Sequence, residues 1–223
     1  MTWHLQKEIE SLKKKILSLA AMVEEDVEKA VLSLRKKDEK LAQEVIIRDE
    51  EIDQIEVEVE EDCLKILALH QPVATDLRYV IAILKINNDL ERIGDLAVTI
   101  SEQSLFLRTY DNITIPFDFA DMVHKTRSML RRCIDSLVNL DVNLAREVCL
   151  SDSEVDKLHR DMYGQVQAAI VKQPDNIEGL FRYLIVSRSL ERLADYATNI
   201  SEDIIYMIEG RIVRHYKKEK DDK

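Results

Sequence analysis

Four pairs of acidic residues stand four positions apart in this chain: Asp49 and Asp53, Glu91 and Asp95, Asp152 and Asp156, Glu191 and Asp195. Residues four apart on a helix share a face, one turn from each other. Carboxylates gathered in this way repel, which raises their pKa values unless a cation joins them. Sites made of several carboxylate oxygens suit hard divalent cations and iron. The spacing points to metal binding, and to binding in two places. Leu90-Glu91-Arg92-Ile93-Gly94-Asp95 and Ile100-Ser101-Glu102 return as Leu190-Glu191-Arg192-Leu193-Ala194-Asp195 and Ile200-Ser201-Glu202, with eight of thirteen positions identical and four of those eight charged. Internal repetition sets the architecture before any other reading, and a repeat retained for packing alone would have let its charges drift.

The elements that must hold these residues are helices. Charged residues make up 34% of the chain and hydrophobic ones 46%, with only four glycines and three prolines, the profile of long amphipathic helices. Leu5, Ile9, Leu12, Ile16, Leu19, Val23, Val27, Val31 and Leu34 recur every three or four residues, which predicts a first helix from Trp3 to Lys37, about 50 Å long. Asp38 is a good N-cap for a short helix to about Arg48, and Asp49 for a longer one ending near His70. Gln71-Pro72 breaks that helix, and a third opens after Thr75 or Asp76 and runs to about Arg108. Residues 109–119 lose the helical period and contain Pro116, which makes them a linker. The plan then repeats. Ala42-Gln43-Glu44-Val45 answers to Ala145-Arg146-Glu147-Val148, Asp49 to Asp152, and Gln71-Pro72 to Gln173-Pro174, at an offset of 103 that slips to 102 and then to 100 in the last helix. The expected fold is all-α: two tandem, pseudo-symmetric, antiparallel three-helix bundles, residues 1–108 and 120–210, with a charged tail over 211–223 that is expected to fray.

Hairpin geometry mates the acidic pairs. A turn centred near Val73 sets Asp53 roughly level with Gly94 and Glu56 with Glu91; one centred near Asp175 sets Asp156 roughly level with Ala194 and His159 with Glu191. Each half thus offers Asp-x-x-x-Asp on one helix beside Glu-x-x-x-Asp on its neighbour. The candidate metal ligands are Asp49, Asp53, Glu91 and Asp95, then Asp152, Asp156, Glu191 and Asp195. Asn88 can add an amide oxygen or an outer hydrogen bond, and its counterpart is Arg188. His159, in the place of Glu56, can add an imidazole, while Glu102 and Glu202 extend the stripes as outer ligands. The competing reading is a solvated acidic face, with Asp49 and Asp152 no more than caps; residues 49–62 hold nine carboxylates and no Lys or Arg. The recurrence of both pairs, each mated across a hairpin, favours the metal. Arg92 and Arg192 fall off the stripe and read as members of structural ion pairs.

Composition narrows the function further. A net charge of −11 excludes a general nucleic-acid binder, which needs a basic stripe. No run of eighteen apolar residues is present, and the first residues do not form a secretory signal. Three cysteines without CxxC or CxxH spacing argue against disulfides and a zinc–thiolate site, and for the cytoplasm. No Gly-rich phosphate loop or Ser/His/Asp triad stands out, and no Glu-x-x-His pair of the kind di-iron bundles use. On a helical wheel Glu91, Asp95 and Glu102 turn away from Leu90, Ile93 and Ala97, so the sites face solvent and suit a binding platform better than redox chemistry. The alternative is a carboxylate-cluster metalloenzyme or metal store on the same scaffold.

Three segments carry a resemblance: Arg48-Asp49-Glu50-Glu51-Ile52-Asp53, Gln71-Pro72-Val73-Ala74-Thr75-Asp76-Leu77-Arg78 and Asn88-Asp89-Leu90-Glu91-Arg92-Ile93-Gly94-Asp95-Leu96-Ala97. Together they resemble the PhoU family, regulators of bacterial phosphate uptake, and the likeness runs from the first helix to Gly210. It implies tandem three-helix bundles whose Glu/Asp-x-x-x-Asp motifs, at the eight ligand positions named above, hold metal clusters, with multinuclear iron expected and zinc, manganese, calcium or magnesium as alternatives. It also implies a non-enzymatic, homodimeric adaptor between a phosphate ABC transporter and a membrane sensor histidine kinase, which it holds repressive when phosphate is plentiful. In the second half Ala194 replaces the glycine and the residues before Leu190 diverge.

Overall fold

The computed structural model describes residues 3–110, 113 and 119–213. Six α-helices account for nearly all of them: α1 (Trp3–Lys36), α2 (Glu39–His70), α3 (Ala74–Leu107), α4 (Phe119–Asn139), α5 (Val142–Lys172) and α6 (Ile177–Glu209), with one 3₁₀ turn at Pro174–Asn176 before α6. Among the described residues there is no strand. The expected tandem three-helix bundles are present, α1–α3 and α4–α6. Most of the linker, and the tail from residue 214, lie outside the described residues.

The repeat extends to single hydrogen bonds. Lys37 and Leu140 each adopt a left-handed φ of 53°. The next residues, Asp38 and Asp141, donate their N–H groups back to Ser33 and Ser136 at 2.9 and 3.0 Å. Both aspartates then cap the following helix: Asp38 Oδ1 accepts from Lys40 N and Leu41 N, and Asp141 Oδ1 from Asn143 N and Leu144 N. These bonds satisfy amides that a helix start would otherwise leave without partners. At the other end of α2, Gln71 takes a left-handed φ of 46° and Pro72 follows. α3 is assigned from Ala74, but Ala74 itself has φ 46°, so regular geometry begins at Thr75.

One expectation is corrected. No short helix precedes α2 or α5; each runs unbroken through the positions expected to be caps, Asp49 and Asp152. No Gly or Pro interrupts residues 39–70, and a single Asp inside a helix costs only about 0.7 kcal/mol. The two carboxylates are therefore not used on backbone amides and project from mid-helix.

Burial follows the periodicity. Leu12, Ile16, Leu19, Val23 and Val27 of α1 pack with Ile52, Val59 and Ile66 of α2 and Ile83, Ile86, Leu90, Ile93 and Ile100 of α3 in a core that continues into α4–α6. The two bundles join along α3 and α6. These helices run antiparallel, because Lys85 reaches Asp203 at 2.8 Å while Arg182 reaches Gln103 at 3.1 Å near the other end. Gly94 and Ala194 are therefore near the centre of the seam, and the equivalent carboxylates of the two repeats flank it.

Gly94 also sets the distance between α2 and α3. A Cβ placed there would lie 3.4 Å from Ile52 Cγ2 and 3.8 Å from Asp49 Oδ1. A methyl fits, as Ala194 does at the equivalent position; a larger side chain does not. Gly94→Ala is expected to stabilise the protein by up to about 1 kcal/mol, whereas Gly94→Leu should destabilise it by about 1–3 kcal/mol and drive Asp49 away from α3. Urea denaturation of the two variants checks both signs.

Candidate metal centres

The acidic pairs meet across α2–α3 and α5–α6, as the hairpin geometry requires. In the second half one carboxylate oxygen each from Asp152, Asp156 and Asp195 lie within 4.8 Å of one another. Asp152 is half-buried, and its Oδ1 is out of solvent with no hydrogen-bond partner. An orphaned buried oxygen on a carboxylate that crowds two others is an unfavourable arrangement by itself and a good one around a cation. Loss of solvation, then Asp195, Asp156, Glu191 and Glu202, push the Asp152 carboxyl up to about 6. Asp195, at the exposed rim, is pushed up to about 6 by desolvation, Glu191 and Asp156. Glu191 is raised by burial and Asp156, against the lowering effect of Arg188 and Arg192.

The first cluster is looser. Burial, then Asp53, Asp95 and Asp26, push Asp49 up to about 6. Burial, Asp95, Asp53 and Glu56 raise Glu91, with Arg92 opposing. Glu91 Oε2 is out of solvent and accepts no hydrogen bond, although Arg92 Nε lies 3.3 Å away. Arg92 Nη1 also donates to Asp95 Oδ2 at 3.0 Å. Among the described residues carboxylate oxygens converge only in the second half, at Asp152, Asp156 and Asp195; Glu191 there, and Asp49, Asp53, Glu91 and Asp95 in the first half, are joined by electrostatic coupling. The converging oxygens of the second cluster and the raised pKa values of Asp49, Glu91, Asp152, Glu191 and Asp195 fit a hard cation, which would supply the charge that lets the carboxylates ionise side by side.

The outer candidates divide. Glu202 is near enough to the second cluster to help raise Asp152, and it also lines a cavity between α3 and α6. Glu102 instead lines a groove of about 450 Å³ between α3 and α6 with Arg92, Asp95, Arg192 and Tyr196. Asn88 lines a cavity of about 630 Å³ with Lys85, Asp89, Glu202, Asp203 and Tyr206. Its neighbour Asn87 is the residue that meets α2: Nδ2 donates to Glu56 O at 2.9 Å and Glu56 Oε1 at 3.2 Å. His159, the counterpart of Glu56, is hydrogen-bonded through Nδ1 to Ser187 Oγ at 2.7 Å. Burial and Arg188 keep its pKa below the ordinary value, so the ring is neutral with Nε2 left for a ligand or water. The Asn87–Glu56 and Ser187–His159 pairs are equivalent at the offsets of 100 and 103, a signal that a strict alignment of the repeats exposes.

The packing also separates structural acids from candidate ligands. Of the nine carboxylates in residues 49–62, Glu58 and Asp62 are taken by Lys15 of α1 at 3.2 and 2.8 Å. Asp49 and Asp53 have no cation partner among the described residues.

A tandem pair of three-helix bundles, with acidic side chains gathered between the second and third helix of each, defines a class of helical scaffold. The PhoU domain profile matches residues 16–104 and 119–204, and the chain belongs to the PhoU family. It is 34% identical over 222 residues to a phosphate-specific transport system accessory protein PhoU homolog of Pseudomonas putida, covering 96% of this chain and 86% of that one. It is 36% identical to the homolog of Aquifex aeolicus, covering 95% and 96%. The crystal structure of PhoU from Pseudomonas aeruginosa superposes with a TM-score of 0.88 at 32% identity, covering 92% of this chain and 99% of that one. That of the phosphate transport system regulatory protein PhoU from Streptococcus pneumoniae gives 0.83 at 30%, covering 94% and 99%.

Proposed function

We propose that this protein is a cytoplasmic, metal-binding regulator of phosphate uptake and of the phosphate-starvation response. It acts without catalysis, as a homodimeric adaptor between the ATPase subunit of a phosphate ABC transporter and a membrane sensor histidine kinase, and holds the kinase repressive when phosphate is plentiful. Relatives named as accessory and regulatory proteins of phosphate transport support the pathway. The observation that supports the mechanism is the convergence of Asp152, Asp156 and Asp195, with an orphaned Asp152 oxygen, matched in the first repeat by the mutual repulsion of Asp49, Asp53, Glu91 and Asp95.

Asp49, Asp53, Glu91 and Asp95 would hold one centre, and Asp152, Asp156, Glu191 and Asp195, with Glu202 and His159 at its edge, the other. Without a cation these side chains repel each other and present an acidic face to any docking helix. Neutralised, they form a rigid surface that a partner helix can cover. No helix among the described residues is long and apolar enough to cross a membrane, so contact with the membrane runs through the partners.

The test uses purified transporter ATPase subunit and the cytoplasmic part of the kinase. Asp53→Ala combined with Asp95→Ala is expected to weaken binding to at least one partner about tenfold while leaving the helical circular dichroism unchanged. Unchanged affinity would overturn the metal-organised face. Phosphohydrolase activity or oxygen consumption by the metal-loaded protein would favour a metalloenzyme instead.

A further inference from the structure

Arg92 and Arg192 are equivalent by sequence, each following the glutamate of its repeat, yet they are used differently. Arg92 grips both first-repeat ligands of α3, with Nη1 3.0 Å from Asp95 Oδ2 and Nε 3.3 Å from Glu91 Oε2. Arg192 turns to Tyr196 instead: Nη2 donates to the phenol oxygen at 3.2 Å, and the guanidinium lies 5.9 Å from the ring centroid. The residue matching Tyr196 in the first repeat is Leu96, which offers no acceptor.

The remaining cations do not even out this difference. Near the first cluster, Arg48 is committed to Asp26 and Glu25. On the second, Arg160 makes a single 3.4 Å contact with Asp156 from a side chain that is 65% exposed, while Arg188 acts on Glu191 and His159, and Arg192 on Glu191 and Asp195, without an ion pair. The second cluster keeps three converging carboxylate oxygens; a buried oxygen without a hydrogen bond is common to both clusters, Glu91 Oε2 in the first and Asp152 Oδ1 in the second.

We propose that Arg92 is an internal cation occupying the first cluster when metal is absent, and that Tyr196, by holding Arg192 away, leaves the second cluster open, so that divalent cations fill the second cluster before the first. This rests on the metal reading above. A cation arriving at Glu91 and Asp95 must displace a guanidinium already paired to both; one arriving at Asp152, Asp156 and Asp195 meets a single ion pair, the weak Arg160 contact, with Arg188 and Arg192 acting from longer range. The chain thus has two thresholds for one metal, graded by a Leu/Tyr difference at equivalent positions.

The experiment is calorimetric titration of metal-stripped full-length protein with Mn²⁺ alone at neutral pH, with circular dichroism to confirm the fold of each variant. Two classes of site are expected, the tight class lost in Asp152→Asn/Asp156→Asn and the weak class in Asp49→Asn/Asp53→Asn. Arg92→Gln should tighten the weak class roughly fivefold to tenfold, the scale set by releasing a half-exposed ion pair beside a dication. Tyr196→Leu should weaken the tight class by a similar factor, because Arg192 then falls onto Glu191 and Asp195. Equal affinities in the two clusters, or an Arg92→Gln variant with unchanged binding, would end this proposal and leave the metal reading standing. No saturable Mn²⁺ binding in either cluster would end both.

Discussion

Replacing Arg48 with Met is expected to lower the stability of the fold by about 3 kcal/mol or more, the range seen when one partner of a buried ion pair is removed. Asp26 of α1 is 1% exposed. Its two oxygens accept from Arg48 Nε at 3.1 Å and from Nη2, and Arg48 also pairs with Glu25 at 2.9 Å and reaches the Met22 carbonyl. The substitution leaves a carboxylate in the α1–α2 interface with no counter-charge. Burial already raises the Asp26 carboxyl above its usual value despite Arg48; without Arg48 it rises further. A carboxyl whose pKa is higher in the folded state binds more protons there than in the unfolded chain, so stability must increase as pH falls. The variant should therefore recover part of its loss between pH 7 and pH 5, read by urea denaturation at both values. A loss under 1 kcal/mol, or none recovered at pH 5, would contradict this account of the pair. The pair also bears on the site, because Asp26 is one of the charges that raise Asp49.

The second large effect concerns the clusters as a whole. Asp49, Asp152 and Asp195 are pushed from an ordinary 3.8 up to about 6. In metal-free protein the folded state binds more protons than the unfolded state between about pH 4 and pH 6, so its Tm should rise as pH is lowered from 7.5 to 5. Glu8, Glu25 and Glu154 have the opposite sign, lowered by their Lys, Arg or His partners. Their contribution is lost only as pH falls through and below about 4.5, which confines the effect to the window above pH 5. At pH 7.5 a cation at 100 times its Kd adds about 2.7 kcal/mol per filled cluster. Two filled clusters correspond to a rise in Tm of about 10 to 20 °C for a chain of this size. Protons and metal compete for the same oxygens, so the shift should shrink at pH 5. Differential scanning calorimetry with and without metal at both pH values measures all of this. A Tm flat with pH and indifferent to metal would mean that the carboxylates neither repel nor bind.

Much of this was legible in the residues. The apolar stripe of Leu12, Ile16, Leu19 and Val23 and the Gln71-Pro72 stop needed only periodicity and backbone chemistry, and the hairpin register brought Asp53 level with Gly94. Asp49 and Asp152 were harder, because Asp serves equally well as a cap and as a ligand; helix continuity, a property of each whole segment, excludes the cap. Lys15 could not be matched to Glu58 and Asp62 by local spacing, since the contact crosses from α1 to α2. Asn87 rather than Asn88 turns toward α2, a 100° difference that depends on the rotation of α3 about its axis. The divergence of Arg92 from Arg192 lies one step further out, at Leu96 and Tyr196, where the repeat itself breaks.

The most direct test of the two-cluster account is elemental analysis of protein purified without a metal-affinity tag, beside the variant with Asp53, Asp95, Asp156 and Asp195 replaced by alanine. Several iron, zinc, manganese or calcium ions per chain, lost in the variant while its helicity persists, is the predicted result. Metal-free protein that stays folded and still binds its transporter and kinase partners would contradict it, and the acidic stripes would then be docking surfaces in their own right.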